Sequence, residues 1–409
     1  MKRPPPDWLV IAAGVCAALH VGKLPAALPV LREALGVSLV QAGFLLSLVQ
    51  LAGMALGLAV GLVADGLGLR RTMLAGLSIL AGASAIGAAA DGPLQLLVLR
   101  AVEGMGFLLA TMPAPGLIRR LVQSGRLSAA LGVWSAFMPL GTSLALLLAP
   151  VVITLSGWRT LWLSLAVVTL AMAAALAALV PPDPIRAPGA TMPAGWSARL
   201  RQTLTSRGPW LAAACFAVYS AQWMSVIGFL PSIYLQAGLA AGWTAVATAA
   251  AAAVNIVGNV AAGRLLQRSA APDRLLLVGY AAMGLGAWVA FGPIADAFEP
   301  ATAPALRYAA VLAFSMLGGM IPGTLFSVGV RVAPNERTVS TTVGWMQQWS
   351  CLGQFAGPPL VAWVAHRAGG WQWTWVVTGG CTLIGMALAL VARRRFRAAL
   401  SSHGTVPGP

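Results

Sequence analysis

Long apolar runs, separated by short stretches rich in Gly, Pro and charged residues, recur along the whole chain. Each run is about as long as the roughly 20 apolar residues that a helix needs to cross a bilayer. The pattern therefore predicts twelve membrane-spanning helices, which we number spans 1 to 12. They are expected to begin near Trp8, Leu39, Thr72, Leu94, Ala129, Thr160, Trp210, Trp243, Arg274, Ala305, Val339 and Thr374.

The apolar runs lack the apolar–polar alternation that the strands of a transmembrane barrel would show. The stretch from Leu161 to Val180, for example, is apolar on every side. Composition agrees with helices in a membrane, because 59% of the residues are hydrophobic and only 9% are charged. Such usage lies outside that of soluble domains, so we expect an all-α membrane protein with 12 transmembrane helices rather than a soluble or disordered chain.

The basic residues lie mainly in alternate loops. Twenty of the 26 Lys and Arg residues fall on one side of the predicted membrane and four on the other, while Lys23 and Arg100 lie within spans. By the positive-inside rule the side with the excess is cytoplasmic, so both termini are predicted to be cytoplasmic in a bacterial inner membrane. The same asymmetry accounts for the net charge of +16 without any nucleic-acid partner.

One long hydrophilic connection, rich in Pro and Arg, divides the predicted spans into six and six. We expect a six-helix bundle over residues 1–180, a cytoplasmic loop over 181–209, a second six-helix bundle over 210–392 and a cytoplasmic tail over 393–409. The two halves repeat each other: Gly132 and Leu140-Gly141 recur as Gly344 and Leu352-Gly353, at an offset of 212. Offsets that stay nearly constant along the chain predict two parallel six-helix repeats with a cavity between them.

Two motifs carry a family resemblance. The loop between spans 2 and 3 reads GLVADGLGLRR over residues 61–71, which resembles the G-x-L-A-D-x-x-G-R-[RK] signature of the major facilitator superfamily. Span 4 contains RAVEGMG over residues 100–106, which resembles the R-x-x-[QE]-G-x-G motif of that family. The GWR turn at Gly157 and the lysine in span 1 are also similar to the cyanate and nitroimidazole permease branch.

The resemblance implies the superfamily's fold and a transporter that alternates between two conformations. It assigns a gating role to the loop motif, with Asp65 bridging to the start of span 11. Coupling between conformations is implied for the ion pair in span 4. The expected gating and coupling residues are Asp65, Gly61, Gly68, Arg70, Arg71, Arg100 and Glu103.

Ionisable side chains within spans are few, and a charge in hydrocarbon is costly, so each of them requires a partner or a cavity. Two readings of Lys23 remain open: it faces a cavity and meets the negative charge of a substrate, or it pairs structurally with Glu103 or with helix-end carbonyls. His20 shares its helix face and is a candidate proton carrier. Arg100 and Glu103, three residues apart, form either a structural ion pair or part of the coupling machinery.

Amides and aromatic rings supply further candidate contacts for a substrate. Gln and Asn occur within spans 2, 7, 8 and 11, whereas the middles of spans 3, 6, 9 and 12 have none, as expected if those four spans face lipid. Two of these groups lie at helical spacing, one in span 7 (Tyr219, Gln222 and Trp223) and one in span 11 (Trp345, Gln348 and Trp349). Each either lines the cavity between the halves or packs in the hydrophobic core. The expected substrate-binding residues are Lys23, His20, Arg100, Tyr219, Gln222, Trp223, Trp345, Gln348 and Trp349.

No catalytic or metal-binding constellation accompanies these residues. The four cysteines fall inside apolar runs, no nucleotide loop is present, and Glu103 is the only carboxylate well inside a predicted span. We therefore predict no enzyme activity and no cofactor. The predicted function is secondary active transport of a small, anionic solute by a monomeric permease, with protons as candidate coupling ions. The alternative is a proton-coupled exporter of neutral or lipophilic drugs.

Overall fold

The computed structural model describes residues 5–123, 130, 133–183, 195–294, 299, 302–329, 331–335 and 338–401, except for the side chains of 61–67, 196, 340 and 398–401. Throughout these residues the chain forms helices joined by turns, and no strand occurs among them. The predicted start of span 5 at Ala129, together with Gly132, lies outside the described residues. The all-α fold class predicted from the hydrophobic pattern is confirmed.

The helices follow the predicted order. Span 1 is Pro6–Leu35, span 3 is Leu69–Gly87, span 7 is Arg207–Gln236, span 9 is Pro272–Phe291, span 11 is Val339–Ala368 and span 12 is Thr374–Ser401. Four spans are interrupted: span 2 is Leu39–Ser47 and Leu51–Leu67, span 4 is Pro93–Thr111 and Ala114–Leu121, span 8 is Ala241–Ala253 and Asn255–Gln267, and span 10 is Ala303–Gly318 and Met320–Gly329.

Spans 5 and 6 form one helical run, Phe137–Leu179, broken at Gly157, whose φ of 85° and ψ of 164° are not helical. Within the described part of the chain, nine helices are long and apolar enough to cross a membrane by themselves, and this run accounts for two of the spans. Spans 3 and 11 are not among the nine. Span 3 opens with two arginines and span 11 is rich in Gln, Ser and Thr, and these polar residues lower the hydropathy of both helices.

The predicted loop over 181–209 contains a helix, Trp196–Thr205, and the helix of span 12 continues to Ser401, beyond the start predicted for the tail. Because the number of spans is even, the start of span 1 and the end of span 12 lie on the same side of the membrane. We call this the terminus side, and the other the opposite side. We call spans 1–6 the N half and spans 7–12 the C half.

The repeated glycines have the same packing role in the two halves. A Cβ on Gly141 of span 5 would lie 2.6 Å from the carbonyl oxygen of Val15 in span 1. Its counterpart Gly353 of span 11 would bring a Cβ within 2.0 Å of the carbonyl oxygen of Ala217 in span 7. Both glycines therefore allow two helices to approach until their backbones touch, and the offset seen in the sequence reflects a duplicated helix pair.

Replacing Gly353 by Ala is expected to lower the free energy of unfolding by about 1 to 3 kcal/mol, because the added methyl group would overlap backbone that cannot move aside. Gly344→Ala in the same helix is the matched control, since nothing lies within 4 Å of a Cβ at that position. Thermal unfolding of the two purified variants in detergent measures the difference. Equal melting temperatures would contradict the close packing of spans 7 and 11.

The two halves meet along two pairs of spans, 5 with 8 and 2 with 11, and we call the contact between spans 2 and 11 the seam. Near the opposite side, a Cβ on Gly43 would lie 2.9 Å from the Cα of Pro359, and at mid-membrane a Cβ on Gly53 would lie 2.5 Å from the Sγ of Cys351. Nearer the terminus side, the Nε2 of Gln348 donates to the carbonyl of Met54 at 2.8 Å. Among the described side chains, the seam is therefore closed from Gly43, near the opposite side, to the contact between Met54 and Gln348.

Candidate functional site

Four ionisable side chains meet inside the N half. His20 and Lys23 come from span 1, and Arg100 and Glu103 come from span 4; we call them the charged cluster. Lys23 and His20 are 0% exposed, Glu103 is 2% and Arg100 is 3% exposed. Two residues three apart on each of two adjacent helices present their side chains on one face, which is why these spacings bring all four together.

Lys23 is the centre of the charged cluster. Its Nζ donates to the Oε1 of Glu103 at 2.5 Å, to the Oγ of Ser84 at 2.9 Å and to the Nδ1 of His20 at 3.3 Å. The same nitrogen lies 4.4 Å from the centroid of the Trp162 ring, close enough for a cation–π contact. An ammonium has three N–H donors, and here each of them has an acceptor.

The hydrogen bonds also fix the tautomer of His20. The hydroxyl of Thr169 donates its one proton to the carbonyl of Leu165 at 2.7 Å, so it can only accept from the Nε2 of His20 at 2.8 Å. His20 therefore carries its proton on Nε2 and presents a lone pair at Nδ1 to Lys23. A neutral imidazole with this orientation adds no charge to the cluster.

Arg100 holds the other side of the carboxylate. Its Nη1 donates to the Oε2 of Glu103 at 2.7 Å and to the carbonyl of His20 at 2.6 Å, and its Nε donates to the carbonyl of Leu45 at 3.1 Å. The remaining nitrogen, Nη2, is buried without a partner among the described residues. Two cations thus share one carboxylate, which leaves the cluster with a formal charge of +1.

A small cavity of about 10 Å³ adjoins the charged cluster and is lined by Arg100, Glu103, Trp162 and four leucines of spans 1, 2 and 4. Leu24 follows Lys23 along span 1, and Leu96 precedes Arg100 along span 4, so the cavity lies on the opposite-side flank of the cluster. A space of this size admits about one water molecule.

The structure decides where Lys23 lies in this conformation. Its hydrogen-bond partners come from spans 1, 3 and 4 and its aromatic contact from span 6, all within the N half, and it has no such contact with span 11. In this conformation Lys23 is paired with Glu103, and the expectation that it faces a cavity between the halves stays a prediction. Direct contact of Lys23, His20 or Arg100 with a substrate stays a prediction.

Neutral polar groups occupy the seam. The Nε2 of Gln50 in span 2 donates to the Oε1 of Gln354 in span 11 at 3.0 Å. Gln354 in turn donates to the Oγ of Ser350 at 3.3 Å, and that hydroxyl lies 2.7 Å from the Oγ of Ser220 in span 7. Among the described residues a chain of amides and hydroxyls therefore joins the two halves at mid-membrane, next to Gln348.

The three residues predicted in span 7 lie inside the C half. The hydroxyl of Tyr219 bonds with the side chain of Asn255, and the Nε1 of Trp223 donates to the Oγ of Ser315 at 3.1 Å. Gln222 accepts from the hydroxyl of Thr382 at 3.1 Å. These partners come from spans 8, 10 and 12. The three residues and their partners thus form an uncharged hydrogen-bonded group inside the C half, as the charged cluster does inside the N half.

The predicted tryptophans of span 11 form an aromatic group with Trp210 at the start of span 7. The ring centroid of Trp210 lies 4.8 Å from that of Trp345 and 5.4 Å from that of Trp349. Both rings of span 11 are half-buried, and the Nε1 of Trp345 has no partner among the described residues. The group lies at the terminus side, beside the seam rather than within it.

The loop motif is anchored by a carboxylate that the sequence analysis missed. The backbone N–H groups of Arg70 and Arg71 donate to Asp183 at 3.1 and 2.9 Å, and the Nη1 of Arg120 donates to the same carboxylate at 2.8 Å. Gly68 has a φ of 99°, and a Cβ there would meet Asp183 at 2.5 Å, so glycine is required. The structure does not describe the side chains of residues 61–67, which include Gly61 and Asp65, so their gating role stays a prediction.

Asp183 is one of only ten acidic residues in the chain, and it stands at the start of the basic connection between the halves. A single acidic residue among arginines was the feature of the sequence from which its role could have been predicted. Burial raises the pKa of its carboxyl, but the N–H groups of Arg71 and Arg70 and the guanidinium of Arg120 outweigh burial and hold the pKa below its ordinary range. The carboxylate also meets the positive end of the span 3 helix dipole.

Replacing Asp183 by Asn is expected to lower the free energy of unfolding by about 1 to 3 kcal/mol, as loss of a charged hydrogen-bond acceptor does. Because the pKa of Asp183 is depressed, its contribution is complete at neutral pH and disappears as pH falls through the folded-state pKa. Melting temperatures of wild type and variant should therefore converge in acid. The matched control is Asp91→Asn, since Asp91 is exposed and its pair with Arg159 contributes little. A gap that persists in acid would contradict this account.

Comparison with known proteins places these features in a family. The model of the Major Facilitator Superfamily matches residues 10–358. The fold is similar to the crystal structure of a bacterial homolog of the human lysosomal transporter Spinster in an inward-facing and occupied conformation, with a TM-score of 0.69, 16% identity and 100% of each chain covered. No curated protein matches the chain.

Both sequence motifs and the fold therefore lead to the same family, as the resemblance implied. The cyanate and nitroimidazole branch stays a prediction, because at this level of identity the solved structure shows the fold alone. Membership points to transport rather than catalysis. With twelve spans in two parallel six-helix repeats, the chain belongs to the major facilitator superfamily.

Proposed function

We propose that the protein is a secondary active transporter that moves a small anionic solute by alternating access between its halves. The observation that carries the proposal is the unequal charge of the cluster, in which Lys23 and Arg100 share the single carboxylate of Glu103. A net positive charge buried in the N half makes the nearby interior attractive to an anion, and little solvent is present to screen it. The terminus side is taken as cytoplasmic, as the loop charges predict.

The solute's path is proposed along the seam. Arg100 donates to the carbonyl of Leu45, which places the charged cluster directly against span 2, and span 2 forms the N-half side of the seam. The cluster thus lies about one helix diameter, roughly 10 Å, from the solute. Amide and hydroxyl donors of Gln50, Gln354 and Ser350 would hold the solute directly, while the cluster supplies the field.

Opening the seam must break the bonds that close it. Gln348 accepts from the N–H of Leu58 at 3.2 Å and donates to Met54, and Gln50 donates to Gln354. A solute that accepts hydrogen bonds from the same amides would replace these contacts, so its binding favours conformations in which the seam is open to one side. Glutamine side chains suit this replacement of contacts because they are uncharged. No buried charge is therefore left without a partner in either conformation.

Exchange in proteoliposomes tests the proposal. Vesicles loaded with a small carboxylate are assayed for uptake of the labelled carboxylate, in parallel with the uncharged amide of the same acid. Cyanate and a panel of drugs extend the comparison. Exchange of the carboxylate but not of its amide is expected, and exchange of the amide alone would overturn the proposal.

A negative charge introduced into the seam by an isosteric substitution provides a second test. Gln354→Glu keeps the shape of the side chain but adds a negative charge beside Gln50, so anion exchange should fall strongly. Gln267→Glu is the matched control, because Gln267 is exposed at the end of span 8. Unchanged anion exchange in Gln354→Glu, with normal folding, would remove the seam from the path.

A second candidate, export of neutral or lipophilic drugs, is favoured by a different observation. A cavity of about 100 Å³ between spans 1, 5, 7 and 8 is lined mostly by apolar residues, among them Leu146, Ile153 and Leu235. The aromatic group of Trp210, Trp345 and Trp349 adds apolar surface at the terminus side. In the same exchange assay, competition by uncharged lipophilic compounds but not by carboxylates would support this candidate.

A further inference from the structure

The charged cluster has one positive charge more than its carboxylate can balance, and only one of its groups can give up that charge. A guanidinium is not deprotonated in proteins, so Arg100 stays charged. His20 is neutral in the tautomer that Thr169 fixes. Lys23 is therefore the one group whose deprotonation brings the formal charge of the cluster from +1 to zero.

Arg100 makes this deprotonation tolerable. In an isolated buried pair, loss of the lysine proton would leave the carboxylate without a counter-charge, which is strongly unfavourable. Here the Nη1 of Arg100 stays on the Oε2 of Glu103 at 2.7 Å whether or not Lys23 is charged. The cluster can therefore exist in two states, one with charge +1 and one neutral, without a buried unpaired carboxylate in either.

The surroundings of Lys23 offer a route for the proton. The Nζ faces Glu103 from span 4, His20 on its own helix, Ser84 from span 3 and the ring of Trp162 from span 6. Arg100 lies beyond Glu103, and Thr169 and Cys16 lie beyond His20. Of the groups that can accept a proton, Glu103 both contacts the amine, at 2.5 Å, and lines the small cavity on the opposite-side flank.

We infer that Lys23 is the proton-binding group through which a proton gradient across the membrane drives transport. A proton and an anion then move together. This inference rests on the proposed function. In binding from the opposite side, an O–H bond of a protonated water in the cavity breaks as an O–H bond forms on the Oε1 of Glu103. That O–H bond then breaks as an N–H bond forms on Lys23, so Glu103 returns to its carboxylate form beside Arg100. Release follows the change of conformation: the N–H bond breaks, the proton passes again through the Oε1 of Glu103, and a water that enters from the terminus side takes it.

The sign of the coupling follows from electrostatics. An anion in the seam is attracted to the cluster when Lys23 is protonated and is not attracted when the cluster is neutral. By linkage, the bound anion must increase the affinity of Lys23 for its proton by the same factor. One proton with one monovalent anion carries no net charge, so transport is electroneutral.

Lys23→Arg provides the decisive variant. It retains a positive charge but cannot release it, so accumulation driven by an inward proton gradient should be lost, and the number of protons that enter with each exchanged anion should fall to zero. In proteoliposomes that contain a trapped pH-sensitive dye, anion entry through wild type should acidify the lumen, and entry through Lys23→Arg should not. Accumulation by Lys23→Arg at the wild-type level, or entry through wild type without acidification, would overturn the inference.

Measurements on the wild type avoid dependence on the folding of a variant. When the transported carboxylate is added to purified protein in weakly buffered detergent, the protein should take up protons; no uptake would overturn the inference. Failure of the proposed function would give a different result. The wild-type protein would exchange only uncharged solutes, and their entry would still acidify the lumen through wild type but not through Lys23→Arg. That result would leave Lys23 as the proton-binding group of a different transporter.

Discussion

Glu103→Gln is expected to lower the free energy of unfolding by about 3 to 5 kcal/mol, the typical loss when one partner of a buried ion pair is removed. The change leaves Lys23 and Arg100 facing each other with no counter-charge in a site that is at most 3% exposed. Glu33→Gln, at the exposed end of span 1, is the matched control and should have little effect. Thermal unfolding in detergent measures both.

A compensating variant tests the cause. Lys23→Met combined with Glu103→Gln removes one cation and the carboxylate, and so restores the formal charge of +1 that the wild-type cluster carries. The double variant should recover a substantial part of the stability that Glu103→Gln loses. A double variant no more stable than the single one would show that the loss has a steric rather than an electrostatic origin.

Lys23→Gln is expected to fold and yet to transport poorly, because Arg100 and Glu103 remain paired and neutral. Two unit charges about 10 Å apart interact by roughly 1.7 kcal/mol at an effective dielectric constant of about 20. Removing the net charge should therefore weaken anion affinity by about 10- to 20-fold. Equilibrium binding and exchange of a labelled carboxylate measure the effect.

The control for Lys23→Gln is Lys23→Arg, which keeps the charge and should bind the anion nearly as wild type does. The thermal stability of Lys23→Gln should also exceed that of Glu103→Gln, although both remove one side of the same contact. Unchanged anion affinity in Lys23→Gln would refute the electrostatic role and leave the cluster as a purely structural device.

The sequence predicted the helical order, the duplication and the members of the charged cluster, because each depends on spacing along one helix or on a fixed offset. It did not predict which way Lys23 would face. Both readings required a partner for the charge, and the choice between them depends on how spans 1, 3 and 4 pack against one another. Only the packed structure places Ser84 and Glu103 on the same amine.

The seam shows the same limit. Gln50 and Gln354 stand out in the sequence as amides within spans, but their contact joins residues that are 304 positions apart. Ser220 and Ser350 carry no signal at all, since single serines are common in membrane helices and bond to their own backbone. Asp183 was overlooked because its partners are backbone N–H groups, which a sequence pattern does not reveal.

The contact between Gly53 and Cys351 provides a handle on the transport cycle. A Cβ at position 53 would lie 3.2 Å from the Cβ of Cys351, slightly closer than the roughly 3.5 to 4.5 Å of a disulfide, so a shift of a few tenths of an ångström would suffice. Gly53→Cys would thus place a second thiol against a native one across the two halves. Oxidation would hold the halves together and a reductant would release them, so the rate of the cycle could be switched chemically in a single preparation.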